Sequence, residues 1–328
     1  MRYDSGMDTK PPGTPKTLQE AIRYFSDPDT CLDFMVALRW PDGNVTCPIC
    51  GSEGARFLAN QRRWECREKH PRRQFSVKVG TIFEDSPLSL ETWLPAVWLI
   101  TSAKNGISSY EIHRALDVTQ KTAWFMMHRI RLAMRTGTFN KLTGDVEADE
   151  TFIGGKARFM HPHKRAAKIK GTGGMGKSAV MGLLERHGPD GKTSRVRVKV
   201  VRTTRKHELQ AEVRANVEPG ANLYTDAHAS YEGLAPDYAH QMIDHAESYV
   251  RGKVHTNGLE NFWSLRKRGI KGTYVSVEPW HLFRYLDEQA FRFNERHDND
   301  AGRFVRAMRD VVGRRLTFAE LTASPSPA

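Results

Sequence analysis

The sequence predicts a multidomain α+β protein, and three observations carry that prediction. Cys47, Cys50 and Cys66 cluster early in a chain that has only 4 cysteines. From Leu88 to Leu142 apolar residues recur at helical spacing. After Gly144 strand-like alternation takes over, interleaved with further helical patterns. A chain of 328 residues has ample material for more than one core. The shifts in pattern place a helical lead over 1–44, a cysteine-bearing module over 45–86 and a helical domain over 87–138. An α/β domain follows over 139–297, then a polar, partly disordered tail over 298–328.

Charge narrows the partners. Lys plus Arg number 50 against 38 for Asp plus Glu, a net charge of +12 with a pI near 9.6. Such an excess favours a polyanion, because each phosphate neutralised releases condensed counterions. No apolar run approaches the ~18 residues of a membrane span, so no membrane partner is expected. Met1 to Pro15 is polar and proline-rich, without the apolar segment of a secretory signal. The expected compartment is cytoplasmic, nucleoid-associated where the polyanion is DNA. In a reducing compartment clustered cysteines argue for a metal rather than for disulfides.

Thr17-Leu-Gln-Glu20 is a capping box and opens a short helix to Phe25. A second helix follows Asp27-Pro-Asp29 and ends at Trp40-Pro-Asp-Gly43. Cys31 on that helix reads as packing, since no other cysteine or histidine is near it in sequence. Next come Cys47-Pro-Ile-Cys50 and Cys66-Arg-Glu-Lys-His70, with strand-like Arg56-Phe-Leu58 and Arg63-Trp-Glu65 between them. Two ligand pairs joined by a short β segment suit tetrahedral Zn²⁺, each pair supplying two ligands from one tight knuckle. His70 takes the place where a ribbon of this kind usually has a fourth cysteine; a surface histidine is the other reading. With four protein ligands the zinc would be structural.

Leu90, Trp93, Leu94, Val97, Trp98 and Ile100 mark an apolar helix that Gly106 ends. Ser108-Ser-Tyr-Glu111 caps a short helix to Leu116, and a longer one runs from Gln120 to Met134. Short helix, turn, longer helix is the helix-turn-helix layout, in which Gln120, Lys121, Thr122, Trp124, His128, Arg129 and Arg131 could reach DNA. An ordinary helical hairpin gives the same pattern.

Asp145-Val-Glu-Ala-Asp-Glu-Thr-Phe-Ile153 alternates as a strand, placing Asp145, Glu147 and Asp149 on one face. A solvated edge strand would do the same. The basic segment from Lys156 to Lys170, with His161 and His163, reads as a mobile loop over a substrate; a second metal site there stays open. Gly171-Thr-Gly-Gly-Met-Gly-Lys-Ser178 matches a phosphate-loop expression, which needs a strand before it and a helix after it. The next residues, Ala179 to Leu184, read instead as a strand, so the glycine-rich stretch is expected to be a flexible linker. Further strands are expected over Ser194 to Val201, Ala221 to Asp226 and His240 to Asp244, with an amphipathic helix from His207 to Val217.

The stretch from His255 to Tyr274 opens a helix near Asn257, with Glu260 in its first turn and Arg266, Lys267, Arg268 and Lys271 two to three turns on. Pro279 to Arg296 forms another helix. If the Asp149 and Asp226 strands are neighbours, Glu260 can reach them both. Two unit charges ~4 Å apart cost about 4 kcal/mol at an effective dielectric of ~20, so such a cluster must bind protons or divalent cations.

Val146-Glu-Ala-Asp-Glu-Thr-Phe-Ile-Gly-Gly155, Tyr224-Thr-Asp-Ala227 and His255 to Tyr274 resemble the three catalytic blocks of bacterial insertion-sequence DDE transposases. The similar subgroup is the one with an N-terminal zinc ribbon, the IS1595 type. The resemblance spans Thr17 to about Arg296. It implies a ribonuclease-H-like α/β fold with a mixed sheet, in which Asp149, Asp226 and Glu260 hold two Mg²⁺ (or Mn²⁺) ions. Lys267 matches a residue that similar enzymes use to hold the terminal phosphate, flanked by Arg266 and Arg268. The partners implied are double-stranded DNA, as element ends and as target, and a second or further copy of the chain. Two other readings stay open: a non-catalytic DNA-binding regulator of transposase descent, and an ATPase helper built on Lys177.

Overall fold

The computed structural model describes residues 13–135, 140–155, 160–170, 176–187, 191, 193–226, 228–243 and 255–323. They form two compact units, one from the described residues of 1–134 and 297–328 and one from those of 135–296. In the first, Thr17 caps α1 (Leu18–Tyr24) by accepting from the Glu20 N–H, and Asp27 caps α2 (Pro28–Arg39) by accepting from the Thr30 N–H. Both starts are legible from the cap residues. Then β1 (Arg56–Leu58), β2 (Arg63–Glu65) and β3 (Gln74–Phe75) form an antiparallel sheet in that order. Trp64 packs against Trp40, Phe57 and Phe75, with ring centroids 5.8, 4.9 and 6.1 Å away.

Three helices follow where the apolar periodicity expects them: α3 (Leu90–Ser102), α4 (Ser109–Leu116) and α5 (Gln120–Ala133). The capping box of Ser108 and Glu111 is complete. The expectation that α5 offers its basic residues to DNA needs correcting. His128, Arg129 and Arg131 are buried. Arg129 donates from Nε to the Leu316 carbonyl at 3.0 Å and from Nη1 to the Glu84 carbonyl at 2.8 Å, and its guanidinium lies over Phe125. Only the first turn of the helix stays open, with Lys121 exposed and its ammonium over the Phe318 ring.

The second unit is built on β4 (Asp145–Ile153). After α6 (Pro162–Lys168) come β5 (Ser178–Glu185), β6 (Arg195–Val201), α7 (Lys206–Asn216), β7 (Asn222–Asp226), β8 (Ala239–Ile243), α8 (Asn257–Gly269) and α9 (Leu282–Asn294). The sheet order is β6-β5-β4-β7-β8, with β4, β5 and β6 antiparallel neighbours and β7 and β8 parallel to β4. It is thus a mixed sheet with helices on both faces. Val146, Ala148, Met181 and Leu183 pack with Leu209 and Val213 of α7. The alternate residues Ile153, Val180 and Leu184 pack with Leu259, Phe262 and Trp263 of α8 and with Leu286 of α9. Period-two alternation along β4 and β5 therefore sorts side chains between two cores.

The segment expected to be a loop over the substrate contains α6; its residues 156–159 lie outside those described. Of the glycine-rich stretch, 171–175 also lie outside. Ser178 begins β5 and the preceding ordered element is a helix, so neither neighbour a phosphate loop needs is present.

Gly182 shows how closely α8 sits on the sheet. A Cβ there would lie 2.6 Å from Trp263 Cζ2 and 2.8 Å from Leu259 Cδ2, both on buried side chains with no room to retreat. Gly182→Ala is expected to cost about 1–3 kcal/mol through overpacking, read as a lower urea midpoint at unchanged slope.

The chain then returns to the first unit with α10 (Asp300–Arg309) and α11 (Phe318–Thr322). This corrects the expectation of a polar tail from 298 onward. Phe304 is fully buried, its ring 5.5 Å from Phe25, 5.7 Å from Phe34 and 5.2 Å from Trp98. Ala301, Phe304, Val305 and Met308 form a helical apolar stripe between Arg303, Arg306 and Arg309. Residues 324–328 lie outside those described. No helix among the described residues is long and apolar enough to cross a membrane.

Candidate catalytic cleft and metal centre

The four sequence-predicted metal ligands come together. Cys47, Cys50, Cys66 and His70 offer ligand atoms that all lie within 4.8 Å of one another. His70 Nδ1 is 2.7 Å from the Pro71 carbonyl oxygen, which can only accept, so that nitrogen carries the proton. Nε2 is left with its lone pair, and it points at Cys47 Sγ at 3.5 Å. Fixing the far ring nitrogen on a carbonyl is how a metal-binding histidine is usually oriented. Three thiols and one imidazole fit a structural Zn²⁺ without any open position.

In the other unit, β4 and β7 run parallel with Ala148 opposite Thr225, so Asp149 and Asp226 follow at the next step of the same register. Asp149 is partly buried and holds two donors. The Glu150 N–H reaches Oδ1 at 2.8 Å, and Trp263 Nε1 of α8 reaches Oδ2 at 2.9 Å. Burial first, then the charges of Glu150 and Asp226, push the Asp149 carboxyl up to about 7. Asp226 therefore stands close enough to be felt by Asp149. It also accepts from the His228 N–H at 3.3 Å.

Glu260 sits exposed in the first turn of α8. Asp149, Glu150, Glu260, Lys267, Arg268 and Lys271 share an open cleft of about 770 Å³. Asp226 does not line that cleft. Among the described residues only the Cys3His group brings three or more ligands within mutual metal-binding distance. The structure thus pairs Asp149 with Asp226 along the sheet and with Glu260 across the cleft, and leaves the three carboxylates apart.

Of the basic residues predicted on α8, Lys267 and Arg268 are exposed on the cleft wall, joined by Lys271. Arg266 is the exception: it is 1% exposed and turned into the interior, so the expectation that it faces DNA is corrected.

Sequence reasoning misses the residues that hold these groups in place. Glu147 shares its strand face with Asp149 but is 1% exposed. Its Oε1 meets Arg186 Nε at 2.8 Å and its Oε2 accepts the Leu259 N–H of α8 at 2.9 Å. Glu150 points to the other side, where the Tyr231 hydroxyl donates to Oε2 at 2.7 Å. Burial, with the Asp226 charge, holds Glu150 above the ordinary carboxylate range. The only sequence signal for any of this is the odd run of acids on one strand. Trp263, three residues after Glu260, reads in the sequence only as part of an apolar stripe.

Residues 141–294 match the family described as ISXO2-like transposase domain, and residues 26–68 match the transposase zinc-ribbon domain. The chain is 26% identical over 283 residues to an uncharacterized protein in transposable element ISH50 of Halobacterium salinarum, covering 81% of this chain and 90% of that one. It is 31% identical over 83 residues to an uncharacterized transposase-like protein of Haemophilus influenzae, covering 25% of this chain and 67% of that one. The chain belongs to the ISXO2-like, IS1595-type transposases of insertion sequences, with their zinc-ribbon domain.

Proposed function

We propose that the unit spanning 135–296 is a ribonuclease-H-like catalytic domain that cuts and joins DNA with Asp149, Asp226 and Glu260 as its acidic triad. The observation that carries this reading is the pairing of Asp149 with Asp226 on adjacent parallel strands, with Glu260 on the wall of the same cleft as Asp149. An antiparallel three-strand half followed by two parallel strands supports the fold assignment.

The pairing of Asp149 with Asp226 suits a divalent cation by its chemistry. A desolvated Asp149 near the Glu150 and Asp226 charges binds a proton near neutral pH unless a cation takes its place. Bound Mg²⁺ or Mn²⁺ would activate the attacking oxygen and neutralise charge at phosphorus. The chain's own residues do the rest. Asp149 is aimed by Trp263, and Lys267, Arg268 and Lys271 set positive charge where a phosphodiester would enter. In the first unit, the zinc ribbon and the open first turn of α5, with Lys121, serve as DNA contacts in a helix-turn-helix arrangement. Element ends come in pairs, and bringing both together calls for at least a dimer of the chain.

The test is nicking of labelled duplexes carrying the element's ends. Strand cleavage is expected with added Mg²⁺ or Mn²⁺ and not without them, and Glu260→Gln is expected to lower its rate by on the order of 100-fold or more. A Glu260→Gln protein that nicks at the wild-type rate would remove the triad assignment.

A further inference from the structure

The first turn of α8 is closed in an unusual way. Thr256 is its N-cap residue, yet makes no side-chain cap; its hydroxyl lies 3.5 Å from Glu260 Oε1 instead. The cap comes from another element. Glu147 of β4 accepts the Leu259 N–H, and its negative charge sits at the positive end of the helix dipole. Arg186 Nε, 2.8 Å away, balances the buried carboxylate, and His255 Nδ1 stands 3.5 Å from the same oxygen. The approach is so close that a Cβ on Gly258 would lie 2.9 Å from Glu147 Oε2.

One turn further along, Trp263 Nε1 donates to Asp149 Oδ2. The two links therefore join residues 147 and 149 of the strand to residues 259 and 263 of the helix. Two residues of strand span about 6.6 Å and four of helix about 6 Å, so the spacings match. Glu260 lies between the two helix anchors.

From this we propose that Glu147 is a positioning residue: by capping α8 it sets the helix register on β4 and so holds Glu260 at the Asp149 edge of the cleft. The proposal rests on the reading of Asp149, Asp226 and Glu260 as metal-holding carboxylates. Two variants probe it. Glu147→Gln keeps an acceptor for Leu259 but loses the charge that Arg186 answers. Gly258→Ala removes no charge and instead pushes the helix start off the strand.

In both, Mn²⁺ binding measured by calorimetry on the full chain is expected to weaken by about tenfold, as loss of an outer-shell partner does. The maximal nicking rate at saturating Mn²⁺ should fall on the order of 100-fold, the effect of misplacement by about 1 Å. Duplex affinity should hold within about twofold, because the exposed basic residues are untouched. Adding Glu147→Asp to Gly258→Ala withdraws the carboxylate from the space the methyl takes, and should recover part of the Mn²⁺ affinity; damage from the methyl's other contact, Leu184 Cδ2 at 3.1 Å, would not be rescued that way.

If Glu147→Gln does not fold, Gly258→Ala decides alone. Wild-type Mn²⁺ affinity and nicking rate in folded Gly258→Ala protein would overturn the proposal. A parallel Asp149→Asn protein separates this from the broader reading: if it nicks normally the triad is lost, and if it is inactive while Gly258→Ala behaves as wild type, only the role of Glu147 is lost.

Discussion

Asp149→Asn is expected to lower strand cleavage by on the order of 10³-fold or more while making the metal-free protein more stable, and the two effects have one cause. Burial and the nearby Glu150 and Asp226 charges raise the folded-state carboxyl from 3.8 to about 7. The native state therefore holds a proton that the unfolded chain has already lost. Stability falls as pH rises from about 4 to about 7, and the loss is complete above that range. The full linkage is on the order of 4 kcal/mol. Asparagine escapes it but offers one acceptor to two donors, the Glu150 N–H and Trp263 Nε1, and a lost bond of this kind costs about 1–2 kcal/mol. A net gain of about 2 kcal/mol is expected at pH 8 without added Mg²⁺ or Mn²⁺, shrinking towards zero or below at pH 4. Adding Mg²⁺ should raise the wild-type melting temperature more than the variant's, since a carboxylate gains more from the cation than an amide does. Urea melts at the two pH values check it. A variant less stable than wild type at pH 8 without added Mg²⁺ or Mn²⁺ would show that Asp149 carries no such electrostatic load.

Which acid does what cannot be read from the strand itself. Alternation puts Asp145, Glu147 and Asp149 on one face, and the structure agrees, but their neighbours separate them. Glu147 is neutralised by Arg186 and by a helix N–H that lies 112 residues away, whereas Asp149 meets further acids and a cleft. Such partners are non-local, so no spacing rule finds them. The same holds for charge. Arg129 and Arg266 are expected at the surface because charged side chains mostly stay there. In the structure Arg129 is absorbed by backbone carbonyls of Glu84 and Leu316, 45 and 187 residues distant. Signals contained within one turn or one knuckle fare better: the caps at Thr17, Asp27 and Ser108, and the spacing of the cysteines. The helix at 300–309 is legible in principle, since Phe304, Val305 and Met308 follow helical spacing, but arginines between them lower the mean hydropathy and hide the stripe.

Removing zinc is expected to unfold the ribbon while residues 135–296 stay folded. The ribbon's strands have only 3, 3 and 2 residues, and the cluster around Trp64 is too small a core to hold them. Metal binding must supply the difference, and structural zinc sites bind with about 10–16 kcal/mol at neutral pH. Shared among four ligands, that makes one ligand worth roughly 3 kcal/mol, or about 100-fold in affinity. His70→Ala should lose affinity by that factor in competition with a chromophoric chelator. His70→Cys should keep the metal, because a fourth thiolate satisfies the same tetrahedron. Hydrogen exchange locates the effect: chelation should strip amide protection from 45–76 and leave that of β4, β5 and α8 intact, since their cores contain no ribbon residue. A His70→Ala protein with unchanged zinc affinity would make the imidazole a bystander, held at the site by Pro71 and Cys47 alone.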